Sequence, residues 1–221
     1  MTVHAIVSYD GTPNDDDALA LARLLASADV SLALAYVRHA REYDPRREAL
    51  EAFDAERRLE HGAVWLGDPE IERHVVVDPS TSSGLSRLAA AQQAQLILFG
   101  SDYRTPPGHV EPGTSAQGLL EGGSVAIGVA CAGLRAEPET RIRAISVHSE
   151  PGGTALRTAS SLADALDADL VDAHAPADLI VVDSQPHAPS GRIALGGATR
   201  GRLDSARGSV IVLPRGVQLG F

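Results

Sequence analysis

"QLILFGSDYRTPPGHVEPGTSAQGLLEGGSVAIGVACAG", Gln95–Gly133, decides the fold. An apolar run ends on Gly100, a proline- and glycine-rich loop follows, a helical pattern restarts after Gly113-Thr114-Ser115, and a second apolar run closes at Gly133. Both runs are aliphatic along their length and do not alternate with polar residues. That pattern suits strands of a parallel sheet covered by helices on both faces.

The same alternation extends upstream. "VHAIVSYD", Val3–Asp10, reads as a first strand ending at the turn "DGTPN". A helix follows over residues 15–28, with Leu19, Ala22, Leu25 and Ala26 at helical spacing and Asn14 as its N-cap. "VSLALAYV" gives a second strand. A charged crossover helix over residues 38–62 places Leu50, Phe53 and the stem of Arg57 on one side. "IERHVVVD" is a third strand and "STSSGLSRLAAAQQA" a third helix. Five strands alternating with four helices over residues 1–135 predict a doubly wound, five-stranded parallel α/β domain.

After the polar linker "LRAEPETR" the pattern begins again, and "AISVHSEPGGTALRTASSLADAL" repeats the strand, turn and helix start of "AIVSYDGTPNDDDALALARLL". Gly100 to Gly113 is thirteen positions, and Asp183 to Gly196 is also thirteen. Residues 141–221 therefore read as a second, shortened repeat. Only "DAHAPA" stands between Val171 and the Leu179 strand, so its second and third strands are expected to be lost. The fifth strands, "SVAIGV" and "SVIVLP", are expected to pair within the chain as an intramolecular pseudo-dimer, which leaves room for a homodimer.

Composition removes several classes of function. The formal charge of −10 is spread along 221 residues without a basic cluster, which argues against nucleic acid. All nineteen basic residues are arginines, so a phosphate loop ending in Gly-Lys and Schiff-base chemistry are both excluded. No apolar run is long enough for a membrane, the first twenty residues lack a signal-peptide pattern, and Cys131 is the one cysteine. A cytoplasmic protein is expected. The eight histidines form no ligand motif, and no nucleophile elbow is present, so no catalytic residue is assigned.

In an open parallel sheet, ligands bind beyond the carboxyl ends of strands where strand order reverses. Three segments qualify: Tyr9-Asp10-Gly11-Thr12, Tyr36-Val37, and Gly100–Ser115. Gly100 permits close backbone approach to an anion, and Gly113-Thr114-Ser115 offers helix-start amides and hydroxyls. Asp10 is placed to read a ribose or an adenine. Asp15, Asp16 and Asp17 are expected to serve the helix dipole.

The chain resembles the universal stress protein family, whose nucleotide-binding members carry GxxGx(9)G[ST] at this place in a five-stranded α/β domain. The matching positions are Gly100, Tyr103 where the second glycine would stand, and Gly113-Thr114. The resemblance implies that Asp10 and the Val37 backbone face adenine and ribose, and Tyr9 and Gly11 of the same turn are counted with them as candidate binding residues. It assigns the phosphates to Gly100, Gly113, Thr114 and Ser115, with Tyr103 and Arg104 beside them. ATP or another adenine nucleotide, with its magnesium and no other metal, is the implied ligand. The alternative is an interaction protein of the same type that has lost the nucleotide.

Overall fold

The computed structural model describes residues 3–136, 141–149 and 153–221. The expected linker and the glycine-proline turn of the second half fall partly outside them. In chain order the elements are β1 (His4–Ser8), α1 (Pro13–Ala26), β2 (Ser31–Arg38), α2 (Pro45–Leu66), β3 (Glu72–Val77), α3 (Thr81–Ala91), β4 (Leu96–Phe99), α4 (Thr114–Leu120) and β5 (Ala126–Val129). The second half supplies β6 (Ala144–His148), α5 (Ala155–Leu166), β7 (Asp169–Val171), β8 (Leu179–Asp183), α6 (Gly197–Asp204) and β9 (Ser209–Leu213).

The sheet has nine strands, not five, in the order β3-β2-β1-β4-β5-β9-β8-β6-β7. Each half is parallel within itself. The halves join edge to edge through an antiparallel β5–β9 pair, with Ile127 opposite Val212 and Val129 opposite Val210. Helices α1, α2 and α5 cover one face, over a core that includes Leu19, Leu25, Leu59 and Leu162. On the other face lie α3, α4 and α6, over Leu85, Leu119 and Leu203. The four residues of β4 and of β5 are all buried, as covering on both faces requires.

Three expectations fail on physical grounds. Helix α1 is capped by Thr12, not Asn14: Pro13 takes the first helical position, where its missing N–H costs nothing, and Thr12 and Asp15 form a capping box. The second half keeps its second strand as the three-residue β7, which pairs parallel with β6 from Ala144–Asp169 to Ser146–Val171. The Leu50, Phe53 and Arg57 side of α2 faces solvent, with Leu50 65% and Phe53 59% exposed. The helix packs instead through Ala55, Leu59, Gly62 and Ala63, small residues that let it lie close over the sheet. Gly62 is needed there, because a Cβ would press on the Tyr9 ring at 3.0 Å.

Hydrogen bonds in the two halves match at a constant offset of 83 positions, the distance from Ser101 to Ser184. The Ser101 hydroxyl donates to Ala130 O at 2.7 Å and accepts from Glu111 N at 3.3 Å. The Ser184 hydroxyl donates to Leu213 O at 2.7 Å and accepts from Ala194 N at 3.3 Å. Gly108 N donates to Ala132 O, and Gly191 N to Arg215 O. Both glycines have positive φ, 78° and 70°, a conformation that L side chains rarely adopt.

Candidate functional site

In the first half strand order reverses between β1 and β4, so the residues just beyond those strands bracket the crevice where such sheets take ligands. The β1–α1 turn supplies one wall. Asp10 is exposed, and its carboxylate accepts from Thr12 N at 3.2 Å. Asp15, at the third position of α1, accepts from Asp10 N at 3.2 Å, Thr12 N at 3.0 Å and the Thr12 hydroxyl at 2.8 Å. Two amides of this turn are thus already held by a carboxylate. Burial, then hydrogen bonding and repulsion from Asp10, hold the Asp15 carboxyl well above the usual carboxylate range. Asp16 is raised as well, chiefly by burial.

The loop after β4 supplies the opposite wall. Gly100 meets the first turn of α1 so closely that a Cβ would collide with the Asn14 carbonyl oxygen. The Asn14 side-chain amide donates to Ser101 O at 2.8 Å and ties the two walls together. Beyond Ser101 the loop folds back on itself, with Asp102 N donating to Glu111 O at 2.8 Å and a bridge between Ser101 and Pro112. Tyr103 stands 71% exposed, and the Arg104 guanidinium lies 4.9 Å from its ring centroid. The pair stacks on itself, a cation–π contact.

Gly113 caps α4 with φ −68° and ψ 171°, and a Cβ there would have no neighbour within 4 Å. The amides of Thr114 and Ser115 belong to a first helical turn, which has no intrahelical acceptor for them. This is open space with donors facing it. In the second half Asp183 replaces the first glycine, and its carboxylate accepts from Thr154 N and Ala155 N, both at 2.9 Å. The position that is bare in the first half caps α5 in the second.

Two of the sequence-derived residues send their side chains into the cores. The Tyr9 side chain is buried beneath α2, its hydroxyl 2.9 Å from His61 Nδ1 and 3.4 Å from Asp16, while Val37 packs in the opposite core against Gly84 of α3. Burial, reinforced by Asp16, raises the Tyr9 phenol. Asp10 and Gly11, with Thr12, line instead an open groove of about 850 Å³ shared with Asp54, Arg57, Arg58, Glu60, His61 and Val64 of α2. Arg58 stacks on Tyr36 at 5.1 Å and donates to its hydroxyl at 2.9 Å. The structure therefore brings Asp10 and Gly11 to the α2 groove, sets Gly100 against the first turn of α1, and places Gly113, Thr114 and Ser115 at the start of α4. Asn14, Asp15 and His61 were not singled out as site residues from sequence; Pro13 at the first helical position is the signal that would have put Asp15 in a capping box. Among the described residues no group of three His, Cys, Asp or Glu is placed to hold a metal ion, and no helix is long and apolar enough to cross a membrane.

No family model matches the chain, and no curated protein matches it by sequence. Solved structures do. A universal stress protein from Archaeoglobus fulgidus DSM 4304 superposes with a TM-score of 0.71 at 13% identity, over 96% of this chain and 98% of that one. The chain has the universal stress protein fold. A functionally unknown protein from Pseudomonas aeruginosa PAO1 shares it, with a TM-score of 0.61 at 13% identity over 97% of this chain and 93% of its own. A universal stress protein candidate from Pseudomonas aeruginosa UCBPP-PA14 matches at 0.60 and 13% identity, over 96% of this chain and 92% of that one. In each case the universal stress protein fold extends over nearly the whole length of both chains.

Proposed function

We propose that this chain is a non-catalytic stress-response binding module of universal stress protein type, built of two copies of one unit with the second shortened. Its first copy takes an adenine nucleotide at the β1/β4 reversal. The repeated bonds of Ser101 and Ser184 support the two-copy reading. The open start of α4 carries the ligand reading: Gly113 has no side chain and no neighbour in the way, and the Thr114 and Ser115 amides and hydroxyls suit a phosphate. Asp10, exposed on the opposite wall, suits a ribose hydroxyl. Magnesium carried with the nucleotide would offset the aspartates of the β1–α1 turn. The second copy takes no nucleotide in this reading, because Asp183 puts a carboxylate where an anion would approach.

One observation favours the interaction-protein reading. Asp15 already occupies the amides of Asp10 and Thr12, and Asn14 fills the space beside Gly100, so this wall has less room and fewer donors for an anion than the open start of α4. Mass spectrometry of small molecules released from the heat-denatured protein, followed by calorimetric titration with ATP and AMP, decides between the two. Nucleotide that co-purifies or binds at micromolar concentration, and is lost in Gly113→Val, supports the nucleotide module. No released ligand and no heat, with Tyr103→Gly failing to restore binding, supports a module that works through protein partners.

A further inference from the structure

Helix α2 displays a stripe of apolar and charged residues that is uncovered among the described residues. Its exposed residues Arg46, Leu50, Phe53, Arg57, Glu60 and Val64 follow one another at alternating steps of four and three. That is the spacing of the contact seam in a coiled coil, which keeps one line of side chains facing a partner helix. Val64 is 66% exposed, like Leu50 and Phe53, and Tyr43 just before the helix is fully exposed. Phe53 and Tyr43 are two of only seven Phe and Tyr residues in the chain, and both are held in water. Clustered exposure of this kind marks an interaction surface. The groove lined by Arg57, Glu60 and Val64 runs along the same face.

The seam is complementary to itself. When two copies of α2 are laid antiparallel about a two-fold axis between Arg57 and Glu60, Phe53 faces Val64 of the second copy and Arg57 faces its Glu60. The axis repeats both contacts with the roles exchanged, and Leu50 lies over the second copy's Gly67, which has no side chain to obstruct it. Apolar meets apolar at Phe53–Val64, and cation meets anion at Arg57–Glu60. The antiparallel register one heptad away sets Leu50 against Glu60 and Arg46 against Val64, which mismatches both. Neither Arg57 nor Glu60 has an ion-pair partner within the chain among the described residues.

We infer that α2 is a homodimer interface in which two copies pair antiparallel through Phe53–Val64 and Arg57–Glu60 contacts. The surface is isologous, so each change in sequence acts twice. It uses the helix that the second half lacks and leaves both fifth strands undisturbed in their internal pairing.

The test is sedimentation equilibrium of the full chain across a range of concentrations, with Arg57→Glu, Glu60→Arg and the double variant. The expected result is a species of twice the 23.0 kDa chain mass for the wild type. Each single reversal should weaken association by about tenfold or more, because both ion pairs become repulsive, and the double reversal should restore it. Both positions are exposed, so circular dichroism should be unchanged. A wild type that stays monomeric overturns the inference. So does a dimer indifferent to the single reversals, or a double variant no tighter than the singles.

Discussion

Asp15 accepts the backbone amide of Asp10 at 3.2 Å, while burial, reinforced by the Asp10 carboxylate, raises the proton affinity of the Asp15 carboxyl. The folded state therefore holds a proton on Asp15 at pH values where the unfolded chain, titrating near the ordinary value of about 4, has lost it. With more protons bound to the folded state than to the unfolded one, stability falls as pH rises through that window. Asp15→Asn, which cannot ionise, should flatten this part of the profile. Urea unfolding between pH 4 and 9 reads it directly, and an unchanged slope would remove Asp15 as the cause.

Gly100 is required by the backbone of α1, whether or not a ligand binds. Gly100→Ala drives a methyl group into the Asn14 carbonyl and should cost about 1–3 kcal/mol, the usual range for overpacking. Thermal unfolding measures it. A variant as stable as the wild type would mean that the loop and α1 separate more easily than their contacts indicate.

Gly113 is the opposite case. Its φ and ψ suit any residue and its surroundings are empty, so Gly113→Ser should fold normally and gain a few tenths of a kcal/mol as a better N-cap. The denaturant midpoint should move up slightly. A clear loss of stability would show that this position is packed.

Ser101 and Ser184 make the same pair of bonds at the same distances, and both are buried. Removing either hydroxyl leaves a backbone amide, Glu111 N or Ala194 N, without its acceptor, at a cost of about 1–3 kcal/mol. Ser101→Ala and Ser184→Ala should therefore lower stability by similar amounts, as measured by urea denaturation. Losses that differ widely would mean that the two loops bear unequal load.

The strands were legible because covered parallel strands are continuous aliphatic runs, and β4 and β5 contain little else. Strand β7 escaped notice because three residues cannot display a period. Helix α2 was read with its faces reversed. Of its core side only Leu59 is a large apolar residue, and Ala55, Gly62 and Ala63 carry little hydrophobic signal, while Leu50 and Phe53 lie on the water side. The glycine spacing found the loop and the start of α4. It could not reveal that Asn14 already stands against Gly100, since that contact joins residues 86 positions apart in the chain. Tyr9 and Val37 sit next to the crevice in sequence, yet they point into opposite cores, because alternate strand residues face opposite sides of a sheet.

The β5–β9 join binds the two halves by covalent connection as well as by strand pairing. Two separate chains meeting along such an edge would fall apart on dilution and could trade places with related chains. Here the effective concentration of one edge for the other is set by the tether and not by abundance in the cell. The composition of that contact is fixed at synthesis: β5 always faces the β9 of its own chain, at any expression level.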